Sequence, residues 1–494
     1  MCSLKLELRM PRFFQAELRA VLTLILFLFA GVFLGAAPAW AGETRAVSLE
    51  ECIRLAFKSN TDLRKDRLDR KLSLLDRRIG ESHFYPDLYL RPETDYRTDE
   101  DGRARLRLEA EVVQRIPTGG KLSVSVREGY NRYTSYGEDD WTSKVSIKFS
   151  QPLLRGAGLR VGTAPVVLSR LDDDYDLNGY CWLITRRITQ VEKRYWALAR
   201  ADQNLALAQK FLNDTEEISR EIARRTGSGE DPEWEAEIAG RKLDISNAQL
   251  TRTRANLALL DLLDLDGVDE IRTVTRLWRR PKDEVRGLKE NLEVALRQRP
   301  DLKQAAILVD STGLRSDVAG SNALQDIDLA VEAATLATED ELGDSIHDAL
   351  NLDNEFIFSL GAEIRFGVPG RKRIATAARY RHLKAKLDFS ERKQSVRNDV
   401  VTALDSLKNS RYSFSQALEV ERLAKIKLDS VLKKLDERGA DNLKMIIYQR
   451  DLNRAQSRVY RAALEYLYDL ADLTEATGST VSKWGIEIVL KADD

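Results

Sequence analysis

The sequence predicts an α+β membrane protein: long antiparallel α-helical coiled-coil hairpins together with transmembrane β-strands, laid out as two structural repeats. Three observations predict it. Two stretches, Leu49–Leu88 and Leu288–Ile327, overlay without a gap at an offset of 239 residues (Leu49 to Leu288). Each is followed by segments in which polar and apolar residues alternate, and then by two heptad-patterned stretches that meet at a glycine. A period this long indicates a duplicated half-molecule and not a solenoid repeat.

At that offset Leu49/Leu288, Ala56/Ala295, Asp62/Asp301, Leu63/Leu302, Ser82/Ser321 and Asp87/Asp326 coincide. Both stretches predict a helix followed directly by a strand. The expected division is a signal peptide over 1–41, a first repeat over 42–285 and a second over 286–494. Strands are expected within 87–149 and 326–366, and long helical hairpins over 163–265 and 374–477.

The leading segment has the form of a cleaved secretory signal. Lys5, Arg9, Arg12 and Arg19 precede an apolar run from Ala20 to Phe33, and Ala39-Trp40-Ala41 supplies the small-x-small cleavage pattern. No later stretch is apolar and long enough to span a bilayer as a helix, so strands must do any crossing. The 78 basic and 79 acidic residues balance, which gives no global attraction to nucleic acid. A charged fraction of 32% suits long solvated helices instead. After the signal only Cys52 and Cys181 remain, too few for a disulfide framework.

From Pro86 the period is two. Arg105, Arg107, Glu109 and Glu111 alternate with Leu106, Leu108, Ala110 and Val112; Lys144, Ser146 and Lys148 alternate with Val145, Ile147 and Phe149. In the second half Phe356, Phe358, Leu360, Ala362, Ile364 and Phe366 alternate with Ile357, Ser359, Gly361, Glu363 and Arg365. One apolar and one charged face is what a barrel needs with lipid outside and water inside. A soluble sheet resting one face on a core alternates in the same way. Turn residues at 99–102, 117–120 and 136–140 separate four runs in the first half, near 87–96, 103–115, 121–133 and 143–149. The second half shows two, near 326–334 and 356–366, joined by an acidic loop over Thr338–Asn354. The extra first-half hairpin either joins the barrel or folds elsewhere.

Beyond Gly156, Gly158 and Gly162 the pattern turns helical. Val191, Leu198, Leu205 and Leu212 recur every seven residues, as do Ala236, Leu243, Leu250 and Leu257. Leu404, Leu407, Phe414 and Leu418, then Leu452, Ala455, Val459, Tyr466, Leu470 and Leu473, repeat the arrangement. These are coiled-coil seams, expected to be packed. Roughly 60 residues at ~1.5 Å each make a rod of roughly 90 Å, longer than a globular domain needs. The reversals fall at Gly227 and Gly439, where glycine ends a helix readily. Acids follow both, Glu233 among them in the first and Asp441 in the second.

Taken together these features resemble the TolC-type outer-membrane efflux proteins, over essentially the whole chain after the signal. The family's duplicated L-x-x-A-x-x-x-N-P-x-L entry has counterparts at Leu49…Asn60-Thr61-Asp62-Leu63 and Leu288…Arg299-Pro300-Asp301-Leu302. Thr61 replaces the proline and Arg299 the asparagine. Phe149-Ser150-Gln151-Pro152-Leu153-Leu154-Arg155-Gly156 resembles the strand-to-helix joint, with Phe366-Gly367-Val368-Pro369-Gly370 as its echo. The resemblance implies a homotrimer sharing one β-barrel in outer-membrane lipid and one α-barrel through the periplasm. It also implies a periplasmic adaptor and an inner-membrane transporter as partners, in efflux or type I secretion. Arg225, Gly227, Arg438 and Gly439 match the adaptor-docking tips, and Glu233 and Asp441 are the gate candidates. Met445 and Tyr448 stand where some members carry an acidic ring.

An enzyme is not expected, and no cofactor. His83, His347 and His382 lie near no cysteine at metal-ligand spacing, and no phosphate-binding loop or nucleophile elbow is present. The rival reading is a trimeric periplasmic coiled-coil scaffold or surface-tethered adhesin, with its strands in a soluble sheet.

Overall fold

The computed structural model describes residues 44–97, 103–133, 139–226, 232–265, 267–275, 286–350, 356–365, 370–435 and 442–486. The expected signal peptide therefore lies outside the described residues. Two compact units divide the chain, residues 1–46 with 266–272 and residues 47–265 with 273–494. In chain order the first half contains β1 (Thr44–Val47), α1 (Leu49–Ser59), α2 (Thr61–Glu81), β2 (Asp87–Arg97), β3 (Arg103–Arg115), β4 (Lys121–Tyr133) and β5 (Asp139–Pro152). The helices α3 (Ala164–Thr226) and α4 (Pro232–Leu263) follow, then β6 (Glu270–Thr273), which pairs with β1 in a two-stranded sheet. The second half contains α5 (Leu288–Gln298), α6 (Pro300–Asn322), β7 (Asp326–Glu339), α7 (Leu342–Leu350), β8 (Phe356–Arg365), α8 (Gly370–Leu435) and α9 (Asn442–Ala476).

The single helix predicted at the head of each half is two helices meeting at a kink. Asn60 and Arg299, one in each half, both take φ −59° and ψ 119°. In the second half Pro300 opens α6, and proline disfavours helical backbone in the residue before it. In the first half Thr61 stands in that place and Asn60 does the work by capping. Its Oδ1 accepts from the Leu63 amide at 2.9 Å, and its Nδ2 donates to the Leu262 carbonyl at 2.7 Å. The same bend thus arises from two different chemistries.

Arg299, the counterpart of Asn60 in the second half, is only 2% exposed. Its Nε and Nη2 donate to the two oxygens of Asp301 at 2.9 and 2.7 Å, and Nη1 donates to Asp399 at 2.7 Å. The guanidinium also lies 4.9 Å from the centre of the Trp182 ring. Burial would lower its pKa, but the hydrogen bonds and charges of Asp301 and Asp399 outweigh it and raise the value. Removing one partner of a buried pair leaves the other charge stranded. Arg299→Gln should therefore cost about 3–5 kcal/mol, read as a lowered unfolding midpoint. Asp399→Asn, at a carboxylate side chain 45% exposed, should cost about 1 kcal/mol or less.

All six long strands form one antiparallel sheet in the order β2-β3-β4-β5-β7-β8. The extra first-half hairpin has joined the others. The acidic stretch predicted as a loop is in part a helix. In α7, Ser345 and Ala349 are four residues apart and share a face, and both are buried. The Ser345 Oγ lies 2.7 Å from the Ser143 Oγ and donates to it, while the Thr335 hydroxyl donates to the Ala349 carbonyl. Small residues on both sides let the helix lie close against β5 and β7.

One joint between sheet and helices needs glycine. Gly119 has φ +92°, and a side chain there would meet the Gly156 carbonyl oxygen; one at Gly162 would meet the Pro117 carbonyl. The Gly158 amide donates to the Thr118 carbonyl across the same contact at 3.0 Å.

The helices pack in the order α4-α3-α9-α8, with α2 against α3 and α6 between α3 and α8. Much of the predicted seam is core. Val191 and Leu198 are buried, and Leu404, Leu407 and Phe414 join Val459 and Tyr466 in one cluster. The exception is α4, where Leu243, Leu250 and Leu257 are 50–64% exposed. Their heptad spacing marks a stripe, but its partner is not among the described residues of this chain.

Candidate functional site

Three features of the second unit bear on function: an apolar sheet face, two open flanks, and a polar clasp near the helix ends. On the sheet, Leu106, Leu108 and Val112 of β3, Leu122, Val124 and Val126 of β4, and Ile147 and Phe149 of β5 share one side. All are exposed, at 37–52%. Across the strands the other side is tied by ion pairs: Arg91–Glu111 at 2.8 Å, Arg107–Glu93 at 2.9 Å, Arg127–Glu109 at 3.2 Å and Lys144–Glu332 at 3.0 Å. A soluble sheet buries its apolar side and wets its charged one. Here both sides are open: Arg91 and Glu93 of the charged side are 51% and 58% exposed, and α7 covers the apolar side only around Ser143 and Ala337. On the apolar side Tyr130 and Trp141 face each other across β4 and β5 with ring centres 4.9 Å apart, an aromatic pair of the kind that sits at a membrane boundary. No helix among the described residues is long and apolar enough to cross a membrane.

The flanks follow from strand and helix order. Among the described residues β2 and β8 each pair on one side only. The helix beside β2 in sequence, α2, exposes Leu68, Leu72, Leu75 and Ile79, which recur at helical spacing. On the opposite flank α8 exposes Tyr380, Leu383 and Leu387, and further along Val420, Leu423 and Ile426. The stripe on α4 belongs to the same flank as α2.

Near the helix ends Trp234, Met445 and Ile446 form a small buried cluster with Ile218, which ties α3, α4 and α9 together. Beside it Glu237 is 6% exposed and bridges two arginines. Arg241 Nη2 donates to one of its oxygens at 2.5 Å, and Arg450 Nε donates to the other at 2.8 Å. Burial pushes the Glu237 pKa up; the Arg450 hydrogen bond and both arginine charges outweigh it and hold the value below 4.5.

Of the residues singled out from sequence, Gly227, Arg438, Gly439 and Asp441 lie outside the described residues, and Arg225 is placed only as backbone in the last turn of α3. Glu233 is exposed in the first turn of α4. Met445 is buried in the small cluster, and Tyr448 has the Lys427 ammonium 5.5 Å over its ring. Glu237 and Arg450 escaped sequence reasoning, since nothing local links positions so far apart. Trp234 beside the Glu237/Arg241 pair at helical spacing was the available signal.

No family model and no curated protein matches the chain by sequence. Solved structures do match in three dimensions. The MtrE outer membrane channel of Neisseria gonorrhoeae aligns over 87% of this chain and 88% of its own, with TM-score 0.60 and 19% identity. The outer membrane protein VceC of Vibrio cholerae aligns over 87% and 96%, with TM-score 0.62 and 14% identity. The CmeC outer membrane channel of Campylobacter jejuni aligns over 90% and 87%, with TM-score 0.61 and 14% identity. The fold is that of the TolC-type outer-membrane channels.

Within this TolC-type fold the clasp has a definite pH signature. A depressed carboxylate pKa contributes stability that is complete above the ordinary glutamate value of 4.5 and is lost as pH falls below it through the folded value. Protection factors of the α4 amides around Glu237, which are taken relative to the slower intrinsic exchange in acid, should therefore fall on acidification through that range. Glu237→Gln should lower the same protection factors roughly tenfold at neutral pH and remove their acid dependence.

Proposed function

We propose that the protein is the outer-membrane channel of an efflux pump or type I secretion system. In this reading three copies close into one β-barrel through lipid and one α-barrel through the periplasm. The carrying observation is the sheet in which eight large apolar side chains lie exposed on one side while the other side is cross-linked by ion pairs. Lipid outside and water inside is the one setting in which both sides are satisfied. The two flanks support the ring. An interface between unlike patches, β2 with α2 and α4 on one copy and β8 with α8 on the next, closes by rotation. Each exposed leucine stripe then meets another, and each unpaired strand edge finds a partner. The two halves, offset alike through α1/α5 and β2/β7, are read as repeats.

Arg225, Gly227, Arg438 and Gly439 are assigned to the tips that receive a periplasmic adaptor, behind which an inner-membrane transporter delivers cargo. Glu233 and Asp441 are assigned to the periplasmic gate, with the Glu237 clasp just behind it. Conduction through the duct is passive.

Purified protein reconstituted in planar bilayers should give discrete conductance steps and run as a heat-modifiable trimer. Leu72→Glu with Ile79→Glu should abolish the trimer, measured by light scattering in detergent, and leave the helical content of the monomer intact. A wild-type protein that is monomeric and silent in bilayers refutes the channel.

A further inference from the structure

Beside the clasp, α3, α4 and α9 enclose a groove of about 910 Å³. Ala201, Leu207, Ala208 and Phe211 of α3 line it with apolar surface, and its charged lining is lopsided. Arg241, Arg450, Arg454, Arg458 and Arg461 face only Glu237 and Asp244. Both carboxylates are already engaged: Glu237 by Arg241 and Arg450, and Asp244 by Arg241 at 3.3 Å. Arg454, Arg458 and Arg461 stand three to four residues apart on the exposed side of α9 and, among the described residues, form no ion pair. Like charges at this spacing repel by a few tenths of a kcal/mol per pair. In addition, the Nε of Arg241, a residue 9% exposed, is buried without an acceptor. The chain as a whole has a net charge of only −1, so the excess is local.

We propose that this groove opens on the duct and makes it selective for anions, so that the cargo bears carboxylate, phosphate or sulfonate groups. The proposal rests on the channel reading above and names its substrate class. A ring of copies repeats the arginine stripe around the water path, where low-dielectric walls focus its potential on whatever passes. Arginine suits the task, because its planar fork meets oxyanions with two parallel hydrogen bonds and its charge does not titrate away. The groove's arginines lie to one side of the α4 leucine stripe, which borders the groove at Leu243. The α3 surface between the arginines accepts the apolar part of an amphipathic anion.

The test is the reversal potential of the full-length protein in planar bilayers across a KCl gradient. Wild type should pass chloride over potassium by about threefold, and Arg454→Gln/Arg458→Gln/Arg461→Gln should bring the ratio to about one. The Lys triple variant, which keeps the charges, should remain anion-selective. Should the Gln triple fail to assemble, Arg458→Gln alone should still lower the ratio measurably. A ratio the same in wild type and variants refutes this proposal and leaves the channel standing. A wild type that does not conduct refutes the channel and this proposal with it.

Discussion

The rest of the structure depends on a sheet that water cannot satisfy on one side. Eight large apolar side chains on three neighbouring strands lie uncovered, while the opposite side is knitted by arginine–glutamate pairs. Burying those charges in a core would strand them, and leaving the apolar side in water forfeits roughly 25 cal/mol for each Å². In the channel proposed above lipid resolves the conflict, but it brings its own demand: every backbone group at that depth must be paired. A six-stranded sheet with unpaired first and last strands does not meet it alone. Closure with further copies does, and the exposed stripes on α2, α4 and α8 run on the same two flanks.

The helices extend that logic beyond the sheet. Their interior seam is ordinary coiled-coil packing around Leu404, Phe414 and Tyr466. Further ties among the helices are polar. Arg299 replaces an asparagine cap with a buried, doubly braced guanidinium, and Glu237 links two hairpins whose local sequences do not reveal one another. The kink backbone is the same at both sites, so the fold tolerates different chemistry where the angle is kept.

Much of this was legible in the residues. Period-two alternation marked β3, β5 and β8, and turn residues and the repeat marked β2, β4 and β7; β5 and β7 run longer than expected, taking in Asp139-Asp140 of the expected turn and Thr338-Glu339 of the expected loop. Heptads located the four long helices. The failures share a physical cause, which is that pattern reports a face and not what covers it. Leu243, Leu250 and Leu257 look the same whether their partner is in the same chain or another. The helix Leu342–Leu350 was missed although Leu342, Ile346 and Leu350 recur every four residues: these are exposed, and the contacts to the sheet are made by the small residues Ser345 and Ala349. Both kinks were missed: at Asn60 a side-chain cap does not announce a break, and at Arg299 the break that Pro300 signals was read as lying within one helix. The clasp was beyond reach because Glu237 and Arg450 meet only through the packing of separate hairpins.

The account is tested most directly by asking what touches each side of β5. Single spin labels at 143–149 report collision with oxygen, which concentrates in hydrocarbon, and with a chelated nickel ion, which stays in water. In lipid vesicles, Val145, Ile147 and Phe149 should be oxygen-accessible and Lys144, Ser146 and Lys148 nickel-accessible, alternating with period two. Nickel reaching both sides alike, or oxygen favouring the lysine side, would contradict it.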